Sequence, residues 1–583
     1  MFRAVSRVAI VVALLACAAP ARPDGGEDGA ATDDLLCVFR QFYGGVGNKW
    51  GKASRDVPWT DWWFANRRNL IGPPPRLPRG EAAGPVRDDA AARDRARTVL
   101  LGLLDSKDRY IASEAALAIG RAGDARDIAA LAKILEDDEI GKTRRLHRYA
   151  AIGIGLLPRG DADQAATARK ALLAAVASAR GGQHEYSFYW TYCAYSLAMR
   201  GDAAVVPELT ALRERVLRAP NAETSMYTEV LGGICYALGV LGGELSLPEV
   251  QEHLGGRRAP DRGNNDTSWA ATQALARIGG ADARALLIEA AGDTERWTVR
   301  AGALHALGAL ATPGDDDVAE LLRETIADDR KIECRRMAAI SLGRSGHPSA
   351  KDALAKMLAK DQLDARPFAA LGLGFLARRQ ADPALTKMLL DSVTDASSDD
   401  DQAAAALACG LGGVTAARPR LASILEHGSP TASPAAAWAL GALGADPDER
   451  KILRAAVLRP GRQLERREAA LALAVLGDRV VVDELRAAVS GRGSDLERGT
   501  AAILLGRIGD DTEIDFLLGE LADKQTSDPL AACLVHALGW LLDRDDLGAL
   551  ARVTSEVRWD KHTNGNNLSW SGEALWDLQH LVD

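Results

Sequence analysis

Apolar residues along most of this chain follow two helical patterns in turn. Within 498–508 (RGTAAILLGRI), Ala501, Ala502, Leu504, Leu505 and Ile508 cover more than one side, as in a helix packed on several faces. In the stretch that follows, Ile514, Leu517, Leu518 and Leu521 fall on a single stripe, as in an amphipathic helix with one wet face. Between them stands Gly509, which fits a left-handed turn at a helix C-terminus, and then Asp510, Asp511 and Thr512, whose side chains can cap the next helix. Neither helix can bury its apolar surface alone, so the pair requires neighbours.

The same pair recurs. A small residue near the end of each many-sided helix gives a ladder of anchors: Gly120, Gly155, Ala198, Gly239, Ala276, Gly308, Gly343, Gly374, Gly410, Gly441, Ala474, Gly506 and Gly539. Their mean step is about 35 residues, the range of two-helix repeats. Only Gly or Ala stands at these positions. Gly costs about 1 kcal/mol against Ala inside a helix, so its recurrence predicts close approach of stacked helices. The units 300–310 (RAGALHALGAL), 336–346 (RMAAISLGRSG) and 435–444 (AAAWALGALG) resemble HEAT repeats, of the short class first recognised in phycobilin lyases. That resemblance implies an all-α fold, a right-handed α-solenoid (superhelix) of about thirteen HEAT-like pairs over 89–557. It implies binding scaffolds as a class rather than one function.

The ends depart from this period. Residues 1–21 read as an export signal: Arg3 and Arg7 precede an apolar core at 8–15 that is too short to span a bilayer as a permanent helix. Two processing routes fit. Ala19-Pro20-Ala21 is a small-x-small cleavage site, and Leu14-Leu15-Ala16-Cys17 resembles a bacterial lipobox in which Cys17 would carry lipid. A charged, Gly-rich linker (22–34) follows, with nothing to bury. The segment 35–71 holds Trp50, Trp59, Trp62 and Trp63, with Trp59, Trp62, Trp63 and Asn66 on one helical face. It reads either as an aromatic plug capping the first repeat or as an exposed anchor for a partner. It resembles the Trp-rich leader of exported bacterial HEAT-repeat proteins of unknown role. A Pro/Gly spacer (72–88) joins it to a first amphipathic helix carrying Val99, Leu100, Leu103 and Leu104. At the other end, 558–583 reads as an unpaired capping helix.

Within the repeats, longer loops near 179–185, 218–228 and 255–267 suggest one functional edge. Beside the first lies Tyr186-Ser-Phe-Tyr189-Trp190-Thr-Tyr192-Cys193-Ala-Tyr195, six aromatic residues in ten in a chain that is 5% aromatic. Tyr186, Tyr189, Trp190 and Tyr192 are candidates for a π-rich binding platform; bulky filling of a repeat junction is the other reading.

Composition and motifs add mainly exclusions. The net charge is −9, without the basic face a nucleic-acid binder needs. His184-Glu185 stands as a single pair, where HEAT-like iron hydroxylases, which resemble this fold, use several as metal ligands. Gly372-Leu-Gly374-Phe-Leu-Ala377 fits a dinucleotide fingerprint but lies inside a repeat helix, which makes it packing. The stretch 560–571 echoes a calcium loop with His562 and Ser571 in place of oxygen ligands. The seven cysteines make no disulfide framework: Cys193, Cys235, Cys334, Cys409 and Cys533 lie in different repeats inside apolar helices, as buried free thiols. No catalytic residue, metal or cofactor is assigned. The reading is an exported, non-catalytic protein-binding scaffold of the bacterial cell envelope with no nucleic-acid partner, and a membrane link only through Cys17. A lyase-like envelope enzyme using the 186–195 region as a pocket and a purely structural spacer are the alternatives.

Overall fold

The structure is a computed structural model, and it describes residues 89–136, 140–178, 187–218, 225–255, 266–360, 365–460 and 462–542. The export signal with Cys17, the segment with Trp59, Trp62 and Trp63, Tyr186, the His184-Glu185 pair and the terminal helix 558–583 lie outside the described residues. The described residues form α-helices and no strand. In chain order they are α1 (Ala90–Leu103), α2 (Arg109–Ala122), α3 (Ile128–Leu135), α4 (Ile140–Leu156), α5 (Ala162–Ala177), α6 (Ser187–Arg200), α7 (Val206–Leu217), α8 (Ser225–Gly242), α9 (Leu247–Gly255), α10 (Asp266–Ile278), α11 (Gly280–Ala291), α12 (Trp297–Leu310) and α13 (Asp316–Asp328). Then follow α14 (Ile332–Ser345), α15 (Ala350–Lys360), α16 (Arg366–Arg379), α17 (Pro383–Thr394), α18 (Asp399–Leu411), α19 (Arg418–His427), α20 (Ala432–Leu443), α21 (Pro447–Leu458), α22 (Gln463–Val475), α23 (Val482–Val489), α24 (Asp495–Ile508), α25 (Thr512–Ala522) and α26 (Asp528–Leu541). Each odd helix and the even helix after it form one pair, thirteen among the described residues.

The even helices carry the anchors and pack against one another in sequence. A Cβ added at Gly120 would stand 2.5 Å from Gly153 Cα, one at Gly441 2.7 Å from Ala472 Cβ, and one at Gly506 2.8 Å from Ala537 Cα. Each partner lies two residues before the next anchor, and such distances leave no room for a side chain. On a helix turning about 100° per residue, the anchor and the position two before it point in nearly opposite directions, one to each neighbour. The position just before the anchor points to a third side. It holds Leu, Ile or Cys throughout, among them Ile119, Leu307, Cys409 and Leu538, all buried against the odd helices. Where the small pair is interrupted, with Leu504 two residues before Gly506, α22 and α24 pack least closely of the thirteen.

The stack closes on itself. α26 packs against α2, and α25 against α1. A Cβ at Gly539 would lie 2.9 Å from Ala118 Cβ, and Ala118 is two residues before the first anchor, so the closing contact keeps the register of the internal ones. Asp511 accepts from the Asp89 backbone N–H (2.8 Å) and from Arg93 Nε (2.7 Å), and Arg95 is bidentate on Asp515. The result is a ring. Its even helices approach more tightly than its odd ones, which places them on the shorter, inner circumference. The HEAT-like helix pairs of the sequence reading are present. The open ends of a superhelix are not, because the end of pair 1 that a Trp-rich plug would cover is occupied by α26.

Local details follow the same competition between near and far partners. α24 begins with a capping box, Ser494 with Glu497, and buries nearly all its sides. Gly509 has φ −66, so the expected left-handed turn is not used; a Cβ there would instead meet Glu513 Cγ at 2.6 Å and Leu505 O at 2.7 Å. Asp510 accepts from Thr512 N and Oγ1 (2.9 and 2.6 Å), whereas Asp511 is drawn off to the closing seam and caps nothing locally. α1 buries Ala92, Ala96 and Leu100, while Val99 is exposed. Around the outer layer, a basic residue of one odd helix reaches an acid at the turn of the next pair, as in Arg169–Asp202, Lys351–Asp382, Arg418–Glu449, Arg454–Asp478 and Arg486–Glu513. The chain carries two Arg-Gly-Asp runs, 159–161 and 200–202, and both belong to such turns, with Asp161 completing a capping box and Asp202 receiving Arg169.

Candidate interaction surface on the inner face of the ring

Three sides of each inner helix are spent on two neighbours and the outer layer. The fourth faces inward. It is built from the residue after the anchor and from those three and six before it, which share one stripe at helical spacing. The side chains there are chemically richer than those on the other three sides. Six such positions hold Arg121, Arg277, Arg344, Arg507, His305 and His536.

Around the closing seam this stripe becomes a polar network. Trp540 Nε1 donates to His536 Nε2 (3.1 Å), which leaves the ring proton on Nδ1, and Nδ1 donates to the buried Glu114 carboxylate (2.9 Å). The Arg507 and Arg121 guanidiniums lie 4.2 and 5.3 Å from the Trp540 ring centroid, one from each flanking pair. The His536–Glu114 contact crosses the seam between the two ends of the described chain, and so helps fix which helices meet and the register of closure.

Half-way round, pairs 5 to 7 repeat the arrangement. Arg277 and Arg344 flank His305, whose pKa is pushed down to about 3 by burial and then by Arg344, so the imidazole is neutral. The exposed Ala309 between them leaves space. His253, on α9, is likewise held down to about 3 by burial and by Arg213, whose Nε donates to its Nε2 at 2.8 Å. An apolar patch completes the inner face at pairs 10 and 11, where Trp438 and Leu471 are half-buried and Ala442 is exposed.

The aromatic stretch read from the sequence does not form one platform. Tyr189, Trp190 and Tyr192 are all buried. Tyr189 points to pair 2 and meets the His147 ring edge-on at 5.5 Å. Trp190 points to its own outer helix, donating from Nε1 to Ser178 Oγ at 3.2 Å. Tyr192 and Tyr195 fall on the inward stripe, with Tyr195 5.3 Å from Tyr236. All three described candidates are therefore buried packing residues, and the junction-filling reading accounts for them. The sequence reading missed the inward Arg and His positions. Their signal was present as Arg immediately after a Gly or Ala anchor in otherwise apolar helices.

The five described cysteines are free and buried. Burial pushes Cys235, Cys334 and Cys409 up to about 12, Cys193 higher still, and Cys533 well above the ordinary thiol range, so these thiols are not nucleophiles at neutral pH. Among the described residues no group of three or more His, Cys, Asp and Glu could hold a metal.

Comparison with known proteins gives one family match and several similar solved structures. The family model for HEAT repeats matches residues 257–336, 322–396 and 389–474. No curated protein matches the sequence. Among solved structures, the complex of CpcE and CpcF of phycocyanin lyase from Nostoc sp. PCC7120 is similar, with 22% identity, 45% of this chain and 96% of that chain covered, and a TM-score of 0.28. Human deoxyhypusine hydroxylase in complex with glycerol is similar over 46% of this chain and 98% of that one, with 20% identity and a TM-score of 0.23. A Kap121p mutant covers 76% of this chain with 56% of its own, at 13% identity and a TM-score of 0.33. HEAT repeats are identified directly over residues 257–474, and the same anchor register continues on either side of them.

Proposed function

We propose that this protein is an exported, non-catalytic scaffold of the bacterial cell envelope that holds a protein partner against the inner face of its ring. HEAT repeats are protein-interaction modules, and that supports the class of function. One observation carries the choice of surface. Thirteen pairs spend three sides of every inner helix on one another and leave the fourth with aromatic, apolar and charged groups in fixed register. At pairs 10 and 11 the half-buried Trp438 and Leu471, beside the exposed Ala442, have the character of an interface core with an aromatic anchor. Export rests on the pattern of 1–21, where Cys17 is the lipid-anchor candidate.

The test uses the full chain, expressed with its N-terminal segment in a bacterial host. Fractionation and N-terminal sequencing read whether 1–21 is removed, and mass analysis reads whether Cys17 is lipidated; an unprocessed cytosolic chain refutes the export reading. Affinity capture from envelope extract is then compared for the native chain, an inner-face variant (Leu471→Asp) and an outer-face variant (Lys133→Asp), each of checked folding. A partner lost only with Leu471→Asp supports the inner face. A partner lost only with Lys133→Asp moves binding to the outside, and a turnover of substrate by the purified ring ends the non-catalytic reading.

A further inference from the structure

The inner wall of the ring is apolar over much of its length, and it is buried where no described element covers it. The inward stripe carries Tyr149 and Ile152 in pair 2, Tyr195 and Tyr236 in pairs 3 and 4, and Phe368 and Leu371 in pair 8, all with almost no exposed surface. Packed helices lie about 8–10 Å apart, so thirteen inner helices enclose a circle roughly 33–41 Å across at their axes. Taking off one helix diameter of about 10–12 Å leaves a lumen roughly 20–30 Å wide. Water filling that lumen would wet the stripe. Every described helix belongs to one layer or the other, so none stands in the lumen. An apolar wall of this extent requires a cover.

Within the ring the longest stretch outside the described residues is 256–265; beyond its two ends lie 1–88 and 543–583. Two observations choose between these ends. The first is where the chain joins the ring. Asp89 is exposed and opens α1, in the outer layer. Leu542 is buried and caps α26, in the inner layer, two residues after Trp540 of the inward stripe. The second is charge. The stripe holds Arg121, Arg277, Arg344 and Arg507 against Glu114 and Glu468. Those two carboxylates already accept from His536 (2.9 Å) and Arg467 (3.0 Å). Each of the four arginines follows its anchor, so they stand at the end of the inner layer from which residue 543 departs, and Arg121 and Arg507 flank Trp540 there. Residues 543–583 hold eight acidic and four basic side chains and open with Asp543, Asp545 and Asp546. Residues 35–71 hold six basic and two acidic ones. A cationic wall partly shielded from water favours the acidic stretch.

We propose that residues 543–583 turn back into the lumen and dock on the inner wall as an intramolecular plug. Their acidic start meets the row of arginines, and Trp559, Trp570, Trp576 and the Leu575, Leu578 and Val582 stripe meet the apolar wall. The reach suffices: the fifteen residues 543–557 extend to at most about 50 Å, more than the width of the lumen. A helix about 10–12 Å across enters a lumen of that width. Ring closure supplies the reason. A terminal helix suited to capping an open stack has no end to cap here, because α26 packs on α2. The inference goes beyond the scaffold reading. It leaves to an external partner the wall at pairs 10 and 11, where Trp438 and Leu471 are half-buried and Ala442 is exposed.

Photocrosslinking of the purified full chain tests the plug. A photoreactive phenylalanine analogue replaces Trp570 or Leu578 in one set of chains and Trp62 in another, and mass spectrometry locates the products. Products joining 570 or 578 to α4, α6, α8 or α16 of the same chain support the proposal. Products on outer helices or between chains, or no product within one chain, overturn it. Products joining 62, but not 570 or 578, to the inner helices give the lumen to the N-terminal stretch and overturn it as well. Hydrogen exchange is an independent readout. Amides of 566–582 should exchange at least tenfold more slowly in the full chain than in a free peptide of that sequence. Asp543→Lys, Asp545→Lys and Asp546→Lys together should remove most of that protection while α12 keeps its own. Equal rates in chain and peptide, or protection that the triple substitution leaves unchanged, overturn the proposal. No envelope partner is present in either experiment, so failure of the scaffold reading leaves these results standing.

Discussion

Replacing Gly539 by alanine distinguishes a closed ring from an open stack by the sign of a stability change. A methyl group at 539 would stand 2.9 Å from Ala118 Cβ and 3.0 Å from Ala118 Cα. Carbon atoms in ordinary contact are about 3.5–4.0 Å apart, so α26 and α2 must part by roughly 0.5–1 Å. Overpacking of this kind costs about 1–3 kcal/mol. It acts against the gain of about 1 kcal/mol that Ala brings over Gly in a helix interior. Gly519 on α25 and Gly102 on α1 supply the controls, because a Cβ at either meets nothing within 4 Å. Gly519→Ala and Gly102→Ala should each stabilise by about 1 kcal/mol, and Gly539→Ala should fall about 1–3 kcal/mol below them. Repeat arrays need not unfold in two states, so urea midpoints are read together with hydrogen exchange in α2 and α26. In a closed ring both helices are as protected as the middle of the chain, and Gly539→Ala exposes them together. If Gly539→Ala stabilises as Gly519→Ala does, and α26 frays in the native protein, the seam does not exist in solution.

Three further outcomes are expected. His253 is held down to about 3 in the fold, against about 6.5 unfolded, so between these values the unfolded chain binds the extra proton. Its contribution is complete above the unfolded value and is lost as pH falls, by at most about 1.4 kcal/mol per unit; urea midpoints from pH 4 to 7 should slope less steeply in His253→Gln, and an unchanged slope refutes the assignment. Glu465 is buried and accepts from Arg459 (2.6 Å) and Arg462 (3.0 Å), so Glu465→Ala should cost about 1–3 kcal/mol by leaving two half-buried guanidiniums with neutral acceptors and no carboxylate. A loss below 0.5 kcal/mol, roughly the scale of a surface pair, would show that water compensates them. The buried Tyr189 hydroxyl has only the weakly hydrogen-bonding Cys193 thiol beside it among the described residues, so Tyr189→Phe should be neutral or stabilise by up to about 1 kcal/mol, and a clear loss in thermal unfolding would reveal a stronger partner.

The sequence by itself determined the helix pair, its period and the close approach at each anchor. These depend on neighbours within one repeat or the next, and the Gly and Ala anchors state the steric demand directly. It also made the aromatic stretch at 186–195 visible, but not its division. Which way Tyr189, Trp190 and Tyr192 point depends on where α6 sits between its neighbours, and the structure sends one back to pair 2, one outward and one inward. Asp511 shows the same limit, since its local cap lost to Asp89 and Arg93, which lie more than four hundred residues away in the chain. Closure was decided only at the tertiary level. Thirteen pairs close when each turns by about 28° relative to the last, and that rotation is a sum of small packing angles. An error of roughly 2° per repeat accumulates to almost one whole pair, enough to open the ring or overlap its ends. No single repeat encodes that sum. Its outcome, Gly539 against Ala118 and His536 against Glu114, brings the two ends of the described chain together and turns scattered Arg and His residues into one inner wall.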